Sequence, residues 1–339
     1  MITHNNNKIL NLAIKNNNIE IVELLLKDNN LNINLQNKYG HTALMLACIN
    51  NNDNNNNIKI VKLLLKYKDI NVNCQDNHNN TPLLIACYNN QIEVVKLLLK
   101  NKDINVDLQN KLKHSALIIA CDNKIELVKL LLNYSFININ LQDIYGNTAL
   151  MIAYDTNQIE IVKLLLLCND INVNLQNNIK QTALMYAYNK KLNFIKLLLN
   201  YKTINVNLQD DNNNTVLIYA CNNNYIDLVK LLLEHNDINV NLQNDKDETA
   251  LIIACNNNYI EIVKLLLTHK DININLQDIN GNTAIDNSND KIKELLKNNN
   301  IQSFDKTDFK VINGVNVLNI NITQSLFNKQ FIINFIIKE

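Results

Sequence analysis

Self-similarity constrains this chain more than any other property. The run TALMLAC at Thr42–Cys48 returns as TPLLIAC at Thr81–Cys87, SALIIAC at Ser115–Cys121 and TALIIAC at Thr249–Cys255. The Thr or Ser that opens each copy stands at 42, 81, 115, 148, 182, 215, 249 and 283, with differences of 39, 34, 33, 34, 33, 34 and 34. A degenerate copy, KILNLA at Lys8–Ala13, lies 34 residues before Thr42, which makes nine copies between about residues 4 and 298. A period of this length means that each copy is one supersecondary unit, unable to bury its apolar face except by stacking on its neighbours.

One full unit, from Asp237, reads DINVNLQNDKDETALIIACNNNYIEIVKLLLTHK. Two amphipathic helices are legible in it. Thr249 is placed to cap the first, its hydroxyl taking up free amide protons of the opening turn. Leu251, Ile252 and Cys255 fill that helix, and NNN ends it, because Asn tolerates the left-handed conformation of a helix end. The second helix carries Ile260, Ile262, Val263, Leu265, Leu266 and Leu267, a stripe too broad for a helix with a single neighbour. Glu261 and Lys264 stand one turn apart on its polar face. Glu93/Lys96, Glu126/Lys129, Glu160/Lys163 and Asp227/Lys230 repeat that pairing, each worth about 0.2–0.5 kcal/mol. INVNLQND alternates apolar and polar residues and ends in turn chemistry, so it forms an extended finger.

Deviations from 34 have one source. The step from the Ala of the first helix to the first apolar residue of the second is six in most copies, as from Ala86 to Ile92. It is five from Ala120 to Ile125 and from Ala187 to Leu192, and eleven from Ala47 to Ile58, where NNNDNNNN is inserted. The insertion reads as a surface loop between two packed elements.

A finger followed by an antiparallel helix pair every 33–34 residues resembles the ankyrin repeat. The resemblance is carried by T-A-L-x-x-A in the first helix, I-V-K-L-L-L in the second and V-N-L-Q-D before the turn. The family's forms are close to TPLHLAA, IVKLLL and DVNAQD. It covers nearly 300 of the 339 residues. It implies an all-α solenoid of stacked helix-turn-helix units with short fingers, spanning residues 1–300, the first repeat degenerate and the last a polar cap. It also implies a non-catalytic scaffold that binds a protein partner through the concave surface of fingers and first helices. The alternative is an adaptor or regulatory segment of a larger assembly, such as a ubiquitin-ligase substrate adaptor or the ankyrin domain of a channel.

Departures from the family pattern carry expectations of their own. The histidine of TPLH is replaced by Met45, Leu84, Ile118, Met151, Met185, Ile218 and Ile252. In the family that side chain ties adjacent fingers by hydrogen bonds, so these fingers are expected to be less firmly joined. The turn glycine survives at Gly40, Gly146 and Gly281; elsewhere the position is Asn79, Lys113, Lys180, Asn213 and Asp247. A lysine forced to positive φ costs about 1–3 kcal/mol. The two lysine copies also have the short step between helices and are expected to be the least regular. In the last copy Asp286, Asn287, Ser288 and Asp290 replace apolar residues, a polar end for the array. Residues 301–339 do not repeat. FKVINGVNVL sets Asn313-Gly314 between alternating apolar residues, a hairpin signal, and the stretch from Thr323 into FIINFIIKE reads as a short helix.

Composition narrows the function. Hydrophobic residues make up 47% of the chain, too many for disorder, although asparagine is roughly a fifth of it. Net charge is +0, from 32 lysines and 32 acidic residues, and a chain without a basic stripe is not built for nucleic acid. The start, MITHNNNKIL, does not read as a signal peptide, and no run of about 18 apolar residues suggests membrane insertion. Seven cysteines then suggest a reducing cytoplasm and free thiols. The recurring Cys48, Cys87, Cys121, Cys221 and Cys255 read as small buried hydrophobes. Equivalent helices lie about 8–10 Å apart, whereas zinc needs four ligands at about 2.3 Å. The same spacing separates His41, His78 and His114. No phosphate loop, nucleophile elbow or metal motif is present, so neither enzymatic activity nor a cofactor is expected, and the chain is expected to be a monomer with an unidentified protein partner.

The finger tips are the candidate binding residues. Early fingers present Lys38, His41, His78, Lys111, Lys113 and His114; late ones present Asp210, Asp211, Asp245, Lys246, Asp247 and Glu248. Tyr39, Leu112, Tyr145 and Ile179 add apolar tips suited to anchoring an interface.

Overall fold

The fold is an all-α solenoid of helix pairs, and the computed structural model describes residues 2–28, 30–50, 55–188, 192–302, 309–312 and 315–318. The pairs are α1 (Ile2–Lys15) with α2 (Ile19–Leu25), α3 (Ala43–Ile49) with α4 (Asn55–Leu65), and α5 (Pro82–Tyr88) with α6 (Ile92–Leu99). They continue with α7 (Ala116–Ala120) and α8 (Ile125–Leu132), α9 (Ala149–Asp155) and α10 (Ile159–Leu166), and α11 (Ala183–Ala187) and α12 (Leu192–Leu199). α13 (Val216–Asn222), α14 (Ile226–Leu233), α15 (Ala250–Asn256), α16 (Ile260–Leu267) and α17 (Asp290–Gln302) follow. Strands β1 (Phe309–Ile312) and β2 (Val315–Leu318) pair antiparallel, Phe309 opposite Leu318 and Ile312 opposite Val315. The Asn313-Gly314 turn and the stretch from Thr323 lie outside the described residues.

The chain divides into two units, residues 1–219 and 220–339, with the boundary inside α13. In the first unit, first helices pack on first helices from α1 through α3, α5, α7 and α9 to α11, and second helices on second helices from α2 through α4, α6 and α8 to α10. In the second unit α16 packs on α14, α15 and α17.

Local chemistry explains the pairs. Thr42, Thr81, Ser115, Thr148, Thr182, Thr215 and Thr249 each accept, at 3.2–3.3 Å, from the amide three residues on. Asn17, Asn90, Asn123, Asn157, Asn224 and Asn258, all at φ of 53–62°, turn the chain into the second helix. Ala47, Ala86, Ala120, Ala153 and Ala187 are wholly buried, which lets neighbouring first helices approach closely. From α4 to α16 each second helix then buries a triplet such as Val94, Val95 and Leu98, whereas α2 buries Val22 alone. A fully buried Val or Leu contributes about 1.5–3 kcal/mol. The five in-register cysteines are buried among them. Tyr154 takes the same position in α9; it is buried, its ring meets Phe194 edge-on at 5.8 Å, and its hydroxyl donates to the Phe194 carbonyl at 3.0 Å.

Where the step between helices is shortened, α7 and α11 are five residues long against seven for α3, α5, α9, α13 and α15. One expectation needs correction. The asparagine insertion is not wholly loop, because α4 begins at Asn55. Asn57 is buried there and donates to the Asn50 carbonyl at 2.9 Å. An i→i−4 ladder satisfies backbone groups that a loop of the same length would leave to water.

Candidate finger-tip interface

Every finger is built on one side-chain turn. Its opening Asp or Asn accepts through Oδ1 from the amides two and four residues on, at 2.8–3.1 Å, at Asn37, Asp76, Asn110, Asp143, Asn177, Asp210, Asn244 and Asp278 alike. Carboxamide and carboxylate serve equally, because only acceptance is required. The fourth residue of the turn has positive φ in all eight fingers: Gly40, Asn79, Lys113, Gly146, Lys180, Asn213, Asp247 and Gly281. At Gly40 and Gly146 the following finger also presses close, and an added Cβ would lie 2.6 Å from the Asn77 and Asn178 amide nitrogens.

Loss of the family's histidine does not loosen the fingers; asparagine and glutamine tie them instead. In the first unit Gln36, Gln75, Gln109, Gln142 and Gln176 each donate, at 2.7–3.3 Å, to the carbonyl of the same glutamine in the next repeat. Each also donates to a carbonyl within its own finger. Asn34, Asn73, Asn140 and Asn174 form a second ladder at the finger bases. Each donates to a carbonyl of the next repeat at 2.6–2.7 Å and accepts that repeat's amide at 2.8–2.9 Å. A third link joins the tips: the amides of Asn77, Lys111, Ile144, Asn178 and Asp211 donate to the carbonyls of Tyr39, His78, Leu112, Tyr145 and Ile179, at 2.9–3.2 Å. In the second unit Asn241, Gln243 and Lys246 make the same three links to the following finger.

The sequence-derived residues therefore fall into columns. Tyr39, His78, Leu112, Tyr145 and Ile179 hold one equivalent tip position on five consecutive fingers. Tyr39, Leu112, Tyr145 and Ile179 are 56%, 49%, 67% and 52% exposed. Lys38, Lys111 and Asp211 share the preceding column, and all are exposed. His41 and His114 sit half-buried on the inner side of their fingers. The Lys38 ammonium lies 4.9 Å from the Tyr39 ring centre, and His41 Nε2 lies 3.5 Å from Asp76 on the next finger. Lys180 pairs with Asp211 at 3.3 Å. In the second unit Asp245 and Lys246 are exposed on a single finger. Asp210 is not a tip charge. It is 3% exposed, and its carboxylate accepts from the amides of Asn212 and Asn214 and from the Tyr219 hydroxyl at 2.5 Å.

The structure adds residues that periodicity passed over. Ile144 is 43% exposed beside Tyr145. Tyr186 and Tyr219 hold the position of α11 and α13 that is Leu46, Ile85, Ile119 or Ile152 in other first helices. Tyr186 donates to Asn147 Oδ1 at 3.0 Å, and Tyr219 stacks on Tyr188 at 5.1 Å. Burial, then the bond to Asp210, pushes the Tyr219 hydroxyl up to about 12. His78, Asn80, Tyr88, Asn110, Lys111 and Leu112 line an open depression of about 330 Å³. At its wall the Tyr88 hydroxyl meets His114 Nδ1 at 2.8 Å and accepts from Asn110 Nδ2 at 3.1 Å. Among the described residues no three His, Cys, Asp or Glu side chains stand close enough to hold a metal ion.

Comparison with known proteins agrees with this architecture. Family models of ankyrin repeats match residues 10–110, 103–177, 166–244 and 232–286. A search of curated proteins returned no match.

Proposed function

Because this chain belongs to the ankyrin-repeat family, we propose that it is a non-catalytic scaffold binding a protein partner along its finger tips and the adjoining first-helix side. Ankyrin repeats are protein-interaction modules. The observation that carries the specific reading is the tip column of residues 1–219. Four large apolar side chains and a histidine stand exposed on consecutive fingers whose backbones are cross-tied three ways. Apolar groups held rigidly in water lose little conformational freedom on binding, which favours affinity.

Tyr39, Leu112, Tyr145 and Ile179 are the anchors in this reading. Lys38, His41, His78, Lys111 and His114 form a basic rim at one end of the row, and at the other Asp211 is paired with Lys180; Asp245 and Lys246 are candidate contacts of the second unit taken by itself. Such rims set association rate and register more than affinity. The protein works as a monomer in the cytoplasm, where its seven thiols stay free. No helix among the described residues is long and apolar enough to cross a membrane.

The test is to isolate the partner on the full chain and compare variants. Tyr145→Ala and Ile179→Ala should each weaken binding about tenfold or more, whereas Glu160→Lys, on the exposed side of α10, should leave it unchanged. The reverse pattern would place the partner on the second helices and refute the proposal.

A further inference from the structure

We infer that the partner segment seated on the first unit is an extended, threefold chain with an apolar side chain at every third residue, acidic where it crosses the first three fingers. This deepens the tip reading above and rests on it.

Spacing supplies the first half. Each finger has two legs, bridged antiparallel at Gln142 and Thr148 in the fourth, and neighbouring fingers are joined by bonds such as Ile144 N–H to the Leu112 carbonyl at 2.9 Å. Two strand spacings of about 4.8 Å per finger make the tips recur about every 9.6 Å. A polyproline-type chain rises about 3.1 Å per residue with three residues per turn, so every third side chain faces the same way about 9.3 Å further on. A flat β-strand fails because its side chains alternate, and residue i+3 points away from residue i. An α-helix brings a side chain back to one face about every 10.5 Å, after seven residues, and drifts out of step by about 4 Å over five fingers.

Charge supplies the second half. Lys38, His78, Lys111 and Lys113 are exposed on the first three fingers. The one carboxylate among those turns, Asp76, is buried and engaged by the His78 and Asn80 amides, by Asn80 Nδ2 and by His41. The depression beside Lys111 offers Leu112 and Tyr88 to the methylenes of an acidic side chain and the lysine to its carboxylate. Lys124, 6.0 Å from the Tyr88 ring centre, adds a further positive charge. By contrast the fifth and sixth fingers neutralise themselves through Lys180 and Asp211.

The test uses the full chain and a fluorescein-labelled peptide of five Leu-Glu-Ser triplets, read by fluorescence anisotropy. Two controls accompany it: a composition-matched peptide with its leucines contiguous, and a Leu-Lys-Ser version. The Leu-Glu-Ser peptide should bind saturably and about tenfold or more tighter than either control. Leu112→Ser should weaken it, and Lys111→Glu should shift preference toward the lysine peptide. Absence of saturable binding, or equal binding of the contiguous peptide, overturns the inference. If a partner isolated from cells still loses affinity with Tyr145→Ala, only the period and charge assigned here are lost. If that variant leaves the partner's affinity intact, the tip reading itself fails.

Discussion

Asp107 is the one residue that breaks the base ladder of the first unit. Both of its carboxylate oxygens accept from the Asn138 amide, at 3.0 and 3.2 Å, but a carboxylate cannot make the donation that Asn73 or Asn140 makes. Burial raises its pKa from the ordinary 3.8, and the Asn138 bond only partly opposes that. Asp107→Asn should therefore stabilise the protein by about 1 kcal/mol at neutral pH, the worth of one restored hydrogen bond. The sign with pH follows from the raised value. The charged form is penalised in the folded state, so the variant's advantage is full above the folded pKa and shrinks as pH falls through it toward 3.8. Urea melts of both proteins across that window measure the gap, and a pH-independent gap would refute the burial argument. The finger turns give a second test. Lys113 and Lys180 both sit at φ 55°, so glycine at either should stabilise by about 1 kcal/mol. Gly146→Ala should destabilise, because its Cβ would meet the Asn178 amide nitrogen at 2.6 Å, and clearly more than Gly281→Ala, where nothing stands within 4 Å. The positive-φ positions were legible because turn chemistry is local. The ladders were not: the carbonyls that Gln36 and Gln75 donate to lie in the next repeat, 39 and 34 residues on. Their recurrence in one register was the available signal.

At the scale of the helix, stability comes from stacking. Leu83 and Leu251 are 0% and 1% exposed, so truncating either to Ala should cost about 2–5 kcal/mol in urea unfolding. Thr148→Ala removes the cap of α9 and should cost about 1 kcal/mol. The cysteines separate by environment. Burial raises the thiol pKa of Cys48, Cys121 and Cys221, pushes Cys87 up to about 12 and Cys255 to about 11. Thiolate is the reactive form, so a thiol reagent should label the half-buried Cys74 and Cys168 first in native protein, and fast labelling of Cys121 would contradict its burial. Helix caps, apolar stripes and the Glu–Lys pairs, such as Glu160–Lys163 at 2.7 Å, could be read directly because each lies within one turn of chain. The start of α4 within the asparagine insertion could not. Asn has low helix propensity, and only tertiary packing of the following IKIVKLLL draws Asn55 to Asn57 into the helix.

At the scale of the molecule, the repeat period required the units to stack, since none can bury itself, and the resemblance carried by T-A-L-x-x-A, I-V-K-L-L-L and V-N-L-Q-D implied the all-α solenoid. The tips were legible as an interface only in outline. Their residue types could be read, but their exposure and cross-tying depend on contacts between repeats, and Tyr88, Tyr186 and Tyr219 were hidden among helix residues that read as core. The central claim is that a partner lies along the tips of the first unit. A photo-crosslinking residue placed at Tyr145, and separately at Glu160, with adducts identified by mass spectrometry, tests it most directly. Crosslinking to the partner from position 145 and none from 160 is the predicted result. Crosslinking from 160 and none from 145 would contradict the account.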